Sequence, residues 1–362
     1  MTGRNKGRSP RSMMTALGRS ELLRTYFACP GCGQGGAHVD RLLGLEGFLT
    51  RQATRLICLT GGRVGFAAAA GMLAACCGWT VSDETIRSAC EGQSGRIAEF
   101  DATPAAGARF AVAAGEVEFQ LDGTTVNTTG GWRDMKIGIF ARRVPGEKAT
   151  AAQWASRKLP APTARVAFAA IQPIEGFGPR IGQWAARLGL TEIAAITTLA
   201  DGAAWIWNAA AEQLPGSGGV LDIYHAAGHI AEAGKKIFGE KTVEAKTWLE
   251  EGRSLLLSDG WAGLCDHIGA TLLKDRELSG HAALGELTGY FAAHTERLNY
   301  AHRLSTGRSI GSGMVEGAAK NLIGKRMKQT GARWVVGNAD AMASLCGLSY
   351  SDHWDLYWAS PN

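Results

Sequence analysis

The stretch Glu116–Thr129 reads Glu-Val-Glu-Phe-Gln-Leu-Asp-Gly-Thr-Thr-Val-Asn-Thr-Thr. Its first residues alternate polar and apolar side chains, which is the period-two pattern of a strand with one buried face. Asp122 then falls next to the apolar residues and is followed at once by a glycine. A carboxylate at the buried end of a strand is costly unless a cation meets it. Two interpretations are open: a turn aspartate in an Asp-Gly hairpin, or a metal-binding carboxylate on the first strand of a nuclease-like sheet.

The composition is that of a globular protein. The 362 residues suit two or three domains, and 46% hydrophobic with 20% charged residues is ordinary for such proteins. A formal net charge of +5 permits a nucleic-acid partner without demanding one. Its distribution is more informative, because basic residues cluster in the Gly/Ser-rich N-terminus and again between Arg303 and Arg333.

Localisation is predicted from what the sequence lacks. The N-terminus has no apolar core of a secretory signal, and no apolar run is long enough to span a bilayer. The eight cysteines are scattered, which is not the pattern of a disulfide framework. We therefore expect a cytoplasmic protein without a membrane partner.

The N-terminal hundred residues suggest a DNA-binding region. Residues 1–22 are predicted to be a flexible basic arm, and residues 23–100 a small helical region. This region begins with the knuckle Cys29-Pro-Gly-Cys32, which offers Zn²⁺ two of the four ligands that a structural site needs. A zinc site and a simple cysteine-containing turn both remain open. The helices that follow fit a helix-turn-helix or an ordinary helical hairpin, and residues 101–115 read as a linker.

The chain from Glu116 to His225 alternates strands and helices. Strands are predicted at 116–122, 135–144, 165–172, 192–199 and 219–225, and helices at 178–190 and 203–214. This order is that of an RNase H-like fold of the α/β class, with a mixed five-stranded sheet and flanking helices. In that fold the first and fourth strands are neighbours, so Asp122 and Asp201 are expected to converge.

The rest of the chain is predicted to be mostly helical. Residues 226–305 read as an all-helical insertion, and residues 306–362 as the C-terminal part of the core. A Gly/Ser-rich loop ends at Ser312, the expected N-cap of a helix that carries Glu316 in its first turns.

Two aspartates and a glutamate that meet at one point repel one another, and divalent metal resolves this repulsion. Magnesium prefers oxygen ligands, and a pair of ions about 4 Å apart supports phosphodiester displacement. Taken singly, Asp122 and Asp201 also fit turn residues, and Glu316 fits a first-turn glutamate favoured by the helix dipole. Their joint placement favours a metal-binding triad.

Several motifs together resemble bacterial insertion-sequence DDE transposases of the ISKra family, which is related to Mutator-like transposases. They cover roughly residues 116–358, although the cysteine knuckle lacks the partner pair that such proteins often have. The motifs are Asp122-Gly, Asp201-Gly-Ala-Ala-Trp-Ile-Trp, Leu221-Asp-Ile-Tyr-His225, Gly311-Ser-Gly-Met-Val-Glu316 and Lys328-Gln-Thr-Gly-Ala-Arg-Trp334.

The resemblance implies catalytic roles. Asp122, Asp201 and Glu316 would hold Mg²⁺ or Mn²⁺. His225 would approach the metal or the scissile phosphate, or else anchor the fifth strand by a hydrogen bond. The implied activity is metal-dependent DNA cleavage and strand transfer. The alternative is a catalytically silent, domesticated DNA-binding protein, while a repair or resolving nuclease fits the helical insertion and late loop less well.

The resemblance also implies DNA partners, namely the inverted repeats of a transposon and its target DNA, bound by a dimer or larger assembly in the bacterial nucleoid. A basic cluster after Glu316 is predicted to contact phosphates. Trp205 and Trp334 fit either base stacking or the core. The predicted DNA-binding residues are Lys320, Lys325, Arg326, Lys328, Arg333 and Trp334.

Overall fold

The computed structural model describes residues 3–43, 45, 47–274 and 280–360, and the chain falls into two compact units. The last segment of the chain groups with the N-terminal region, whereas the sequence predicted that residues 306–362 would complete the sheet domain. Among the described residues, no helix is both long and apolar enough to cross a membrane. Unit 1 comprises Met1–Ala106, Val126–Arg133 and Lys320–Asn362, and unit 2 comprises Gly107–Thr125 and Asp134–Ala319.

Unit 1 begins with a two-stranded antiparallel ribbon of β1 (Arg4–Thr15) and β2 (Gly18–Ala28). The prediction of a flexible arm over residues 1–22 is therefore wrong from Arg4 onward. Met14 holds strand β1 in place, because its side chain is buried and its backbone exchanges hydrogen bonds with Phe48 and Thr50. The short strand β3 (Gly35–Gly36) and helix α1 (His38–Leu42) follow.

Five helices come next, and their ends follow from local capping. Helix α3 stops at Gly78, whose positive φ of 66° suits glycine. Helix α4 starts at Ser82, whose side chain accepts the Thr85 N–H at 3.1 Å. Helix α6 lies where a linker was expected. The helices are α2 (Arg51–Gly61), α3 (Phe66–Cys77), α4 (Asp83–Glu91), α5 (Ser94–Asp101) and α6 (Ala105–Val112).

The C-terminal segment belongs to unit 1, and its longest helix is buried on more than one side. Its helices are α14 (Lys325–Met327), α15 (Val336–Tyr350) and α16 (Trp354–Ala359). Eight residues of α15 are buried, too many for a helix with one packed face. In addition, Arg51 donates to the backbone oxygens of Tyr357 and Trp358.

Unit 2 is built on the predicted mixed five-stranded sheet. The sheet order is β6-β5-β4-β7-β8. Strands β5 and β6 are antiparallel, whereas β4–β7 and β7–β8 are parallel. The predicted adjacency of the first and fourth strands of this domain is thus confirmed. The strands are β4 (Glu116–Thr128), β5 (Gly131–Arg143), β6 (Ala164–Ala170), β7 (Ile196–Ala200) and β8 (Gly218–Leu221).

Two strand ends differ from the prediction. Strand β4 continues through Asp122 to Thr128, so the Asp-Gly hairpin is excluded and the turn lies before Gly131. Strand β8 ends at Leu221, and the next helix begins at Ile223. His225 therefore lies in a helix and not at the end of the fifth strand.

Helices surround the sheet and fill most of residues 226–305, in agreement with the predicted helical stretch for the described residues there. Helix α10 changes direction at Gly260, where φ is 62°. Tyr300 ties this block to the sheet, because its hydroxyl donates to the Leu221 carbonyl at 2.8 Å. The helices are α7 (Ile174–Arg187), α8 (Ala204–Gln213), α9 (Ile223–Phe238), α10 (Val243–Lys274), α11 (His281–Ala292), α12 (Tyr300–Ser305) and α13 (Gly313–Ala318).

Candidate active site

The register of the parallel strands brings carboxylates into one row. The β4–β7 pairing runs from Val117–Ile196 to Gln120–Leu199, and two more steps place Asp122 opposite Asp201. The β7–β8 pairing ends at Ala200–Leu221, and one more step places Asp201 opposite Asp222. Neighbouring strands lie about 4.8 Å apart. We call Asp122, Asp201 and Asp222 the carboxylate row.

Asp201 is fixed by the turn that leads into α8. Its Oδ1 accepts the Ala203 N–H at 2.9 Å, and its carbonyl accepts the Trp207 indole N–H at 2.8 Å. The glycine that follows is required by packing, because a Cβ on Gly202 would lie 2.4 Å from the Tyr290 ring. The Asp-Gly pair thus reflects close packing beside the row.

Asp122 carries an electrostatic cost. Burial raises the pKa of its carboxyl, and the negative charges of Asp201 and Glu316 raise it further, while the Gly123 N–H and His225 oppose the shift. An acidic site of this kind is relieved by bound cations.

The polar face of β4 is buried, although its alternation suggested a solvent-facing side. Glu118 is 4% exposed and Gln120 is 1% exposed. Both side chains contact the loop of residues 306–312 or the start of α13. The Ser309 hydroxyl donates to Glu118, and Gln120 Oε1 accepts the Val315 N–H at 3.0 Å. This face therefore holds the segment that carries Glu316.

Two arginines support the same loop. Arg308 donates three hydrogen bonds to the Glu116 carboxylate, at 2.6, 2.7 and 3.0 Å. The buried Arg303 donates from Nε to the Ser309 carbonyl at 2.6 Å. Burial lowers the pKa of Arg303 to about 10, which leaves it charged at neutral pH. These two members of the second basic cluster are therefore structural.

Asp222 is an anchor. It is fully buried, and its Oδ1 accepts the His225 N–H at 2.8 Å as the N-cap of α9. Its Oδ2 accepts both the backbone N–H and the hydroxyl of Ser312, the latter at 3.0 Å. Ser312 was predicted to cap α13 with its side chain, and instead its side chain binds Asp222. One carboxylate thus joins the segment of His225 to that of Glu316.

His225 and Glu316 face each other at an accessible position. His225 Nε2 lies 4.0 Å from Glu316 Oε1, and the two side chains are 47% and 39% exposed. Among the described residues, the group of potential metal ligands whose atoms all lie within 4.8 Å of one another is Asp222, His225 and Glu316. Asp222 already accepts three hydrogen bonds, so it is the least available of these for a metal.

A groove of about 370 Å³ adjoins His225 on α9. His229 lies one helical turn further, and its ring stacks on Tyr290 with centroids 3.6 Å apart. Burial and the neighbouring His225 lower the pKa of His229, so this imidazole is neutral near pH 7. His229 was not among the site residues predicted from the sequence, although its spacing of four residues from His225 places both on one helix face.

The donors around the row suit a hard cation. In the described structure, Asp122 and Asp201 each use Oδ1 in one local hydrogen bond, which leaves Oδ2 without one. The Glu316 carboxylate has only the distant contact with His225. Carboxylate oxygens of this type are the ligands that Mg²⁺ prefers. The residues present therefore fit the predicted metal in chemical type.

The predicted DNA-binding residues divide into two groups. Arg326 and Trp334 are buried, at 3% and 8% exposure, and the Arg326 guanidinium lies between Phe66 and Trp334 while donating to the Gly61 carbonyl. The predicted phosphate contact by Arg326 is therefore wrong, and Trp334 takes the second of its two interpretations, a place in the core of unit 1. The other four predicted DNA-binding residues are exposed, namely Lys320, Lys325, Lys328 and Arg333.

The remaining predictions concern zinc and base stacking. Cys29 and Cys32 flank a tight turn, and hydrogen bonds within this turn lower the pKa of Cys29. No third potential ligand joins them within the described residues. Trp205 is half-buried, and the ammonium group of Lys136 lies 4.6 Å from the centre of its ring.

Comparison with known proteins adds no assignment. No family model matches the chain, and no curated protein matches it significantly. The geometry of the carboxylate row and of Glu316 is therefore the basis on which a function is inferred.

Proposed function

We propose that this protein is a metal-dependent DNA strand-transfer enzyme of the DDE transposase type, similar to the ISKra family. One observation carries the proposal: the continued β4–β7 register sets Asp122 beside Asp201 at one edge of the sheet, where burial and the charges of Asp201 and Glu316 raise the pKa of Asp122. Three residues from three separate elements gain nothing for folding by meeting there, since the carboxylates repel one another. Such costly clusters mark functional sites.

The strand order supports an RNase H-like core. Numbered within this sheet, the order is 3-2-1-4-5, with the first, fourth and fifth strands parallel. In such sheets, ligands bind at the carboxyl ends of the parallel strands. Asp201 directly follows β7, and Asp122 lies opposite it in the continued register.

Asp122, Asp201 and Glu316 would hold Mg²⁺ or Mn²⁺. Bound there, the metal would activate the attacking water or 3′-hydroxyl and stabilise the leaving oxygen of a phosphodiester. The chain's own part is to hold the three carboxylates in place. Gln120 and Asp222 do this for the Glu316 segment through their hydrogen bonds to Val315 and Ser312.

His225 would act beside the metal ligands. Its exposed Nε2 lies 4.0 Å from Glu316, where it can orient that carboxylate or donate a proton to a phosphate oxygen. His229 continues the same face of α9 into the groove and would line the path of the DNA strand. The alternative role, anchoring a strand, has less support because the Asp222 carboxylate already provides that anchor.

The direct test uses duplex DNA carrying the inverted repeats that flank the gene. With Mg²⁺ or Mn²⁺, we expect the purified protein to cleave the repeat ends and join their 3′-hydroxyls to a second duplex. Asp122→Asn should lower both rates by on the order of 10³-fold, since it removes a charge that acts directly on the reacting groups.

The matched control is Asp266→Asn, the same substitution at an exposed position on α10. It should retain full activity, and both variants should bind the repeat DNA as tightly as the parent protein. Equal cleavage by Asp122→Asn and the parent would refute the proposal. DNA binding without cleavage by the parent protein in either metal would instead favour a silent, domesticated DNA-binding protein.

A further inference from the structure

The ribbon of β1 and β2 contains all of the chain's excess positive charge. Residues 4–28 hold six basic residues and one acidic residue, Glu21, and this net charge of +5 equals that of the whole protein. The rest of the chain is therefore formally neutral. Charge of one sign that is concentrated on a single element indicates an electrostatic partner of the opposite sign.

The ribbon has one anchored part and one exposed part. Arg11 and Arg24 both contact Asp40 of α1, at 2.6 and 3.2 Å, and so fix the ribbon to its own unit. The other four basic residues point into solvent, and within the described chain Arg4, Lys6 and Arg8 form no ion pair. The exposed basic residues are Arg4, Lys6, Arg8 and Arg19.

We infer that this ribbon is a docking surface for duplex DNA, with its exposed basic residues on the phosphates. A twisted two-stranded ribbon fits the major groove of B-DNA, and twelve residues of β1 extend for about 40 Å, which is longer than one helical turn of DNA. A β-bulge at Lys6-Gly7 increases the local twist. The choice of DNA as the anionic partner rests on the proposed function.

The charges of the ribbon are explained less well by a role in preventing its strands from pairing with other chains. Charged residues on an edge strand discourage pairing with other chains, but either sign serves that purpose, and the ribbon is almost without acids. An anionic membrane is the competing partner, because Leu17 at the ribbon tip is 99% exposed and Leu23 is 55% exposed. Binding to DNA depends on counterion release, whereas insertion of leucines depends on apolar contact.

The test measures binding of a fluorescent 30-base-pair duplex of random sequence by anisotropy, in EDTA and over a range of NaCl concentrations. The variant Arg4→Gln/Lys6→Gln/Arg8→Gln/Arg19→Gln should bind on the order of 100-fold more weakly at low salt. Its slope of log K against log salt should be shallower by about 3.6, since each of the four phosphate contacts contributes about 0.9. A control, Lys148→Gln/Lys158→Gln/Lys241→Gln/Lys246→Gln, removes the same charge from exposed positions of unit 2.

Equal weakening in the ribbon variant and the control would overturn the inference, since net charge alone would then explain binding. Loss of binding to phosphatidylserine vesicles in Leu17→Ser/Leu23→Ser, with DNA binding unchanged in the ribbon variant, would assign the surface to a membrane instead. Because the assay contains no divalent metal, its outcome does not depend on DNA cleavage or strand transfer. A protein that fails to cleave DNA but shows the predicted slopes would refute the proposed function and retain the ribbon surface.

Discussion

Two regions at one edge of the sheet contain the same side chain in different surroundings. At the open pair, Asp122 and Asp201, two carboxylates lie at neighbouring positions of the continued strand register, and burial raises the pKa of Asp122. At the closed corner around Asp222, three hydrogen-bond donors from two segments surround a single carboxylate. The comparison shows that hydrogen-bond donors, and not position in the row, determine which carboxylates of the described chain keep an oxygen without a hydrogen bond.

Metal ligands can be assigned in this site in two ways, by distance or by hydrogen bonding, and the two ways give different residues. Distance alone groups Asp222 with His225 and Glu316. Hydrogen bonding favours Asp122 and Asp201 over Asp222, because they retain unused oxygens and Asp222 does not. The same substitution of Asp by Asn in the two regions therefore gives different results under the two assignments.

The largest effect is expected at the closed corner. Asp222→Asn removes a charge-assisted acceptor and places an amide donor against other donors, so we expect the free energy of unfolding to fall by about 3 kcal/mol. Urea denaturation in EDTA measures this, with Asp266→Asn as the exposed control. If Asp222→Asn left the metal-free protein as stable as the parent and abolished only its stabilisation by Mg²⁺, Asp222 would be a ligand and not an anchor.

A smaller effect is expected where β4 holds the Glu316 segment. Gln120→Leu keeps the size of the side chain but leaves the Val315 N–H without its acceptor, at a cost of about 2 kcal/mol. Because Glu316 follows Val315 directly, the rise in thermal midpoint caused by Mg²⁺ should also shrink.

The control for this variant lies on the same face of β4. Glu116→Gln weakens the half-exposed pair with Arg308, whose side chains are 40% and 31% exposed, so the loss should be at most about 1 kcal/mol. The Mg²⁺-induced shift should remain in this control. A full shift in Gln120→Leu as well would mean that the bond to Val315 does not position Glu316.

Much of the open pair could be predicted from the sequence. The period-two pattern of β4, the apolar run of β7 and the order of elements between them placed these strands side by side, and the pairing register agrees. Predictions succeeded here because strand patterns and parallel pairing follow local rules. The start of α13 near Ser312 was also anticipated from its loop.

The closed corner could not be predicted in the same way. The alternation in β4 separates two faces but does not show which of them is covered, and both are. Asp222 followed an apolar segment and was read as part of a strand, since its partner Ser312 lies 90 positions later in the chain. Buried polar pairs of such long separation leave no periodic signal. Arg326 was misjudged, and Trp334 was left open between base stacking and the core, for a related reason: a basic or aromatic residue shows its burial only after packing is known.

The smallest expected effect is at the open pair, and its sign is opposite to that at Asp222. A carboxyl whose pKa is raised on folding stabilises the protein fully below its unfolded pKa, near 3.8, and this contribution is lost as the pH rises through the folded pKa. Above that range, the parent bears the repulsion among Asp122, Asp201 and Glu316, and Asp122→Asn does not. In EDTA at pH 8, the variant should therefore melt at a slightly higher temperature than the parent, and the difference should shrink as the pH is lowered toward 4.

Addition of Mg²⁺ should give the parent the higher thermal midpoint of the two proteins, because only the parent keeps all three charges that the metal needs. Thermal midpoints by circular dichroism at both pH values, with and without metal, measure the whole cycle. A metal-free Asp122→Asn variant that is less stable than the parent would mean that this carboxylate, like Asp222, is held by donors. The open pair would then be a second anchor, and the basis for placing metal there would be lost.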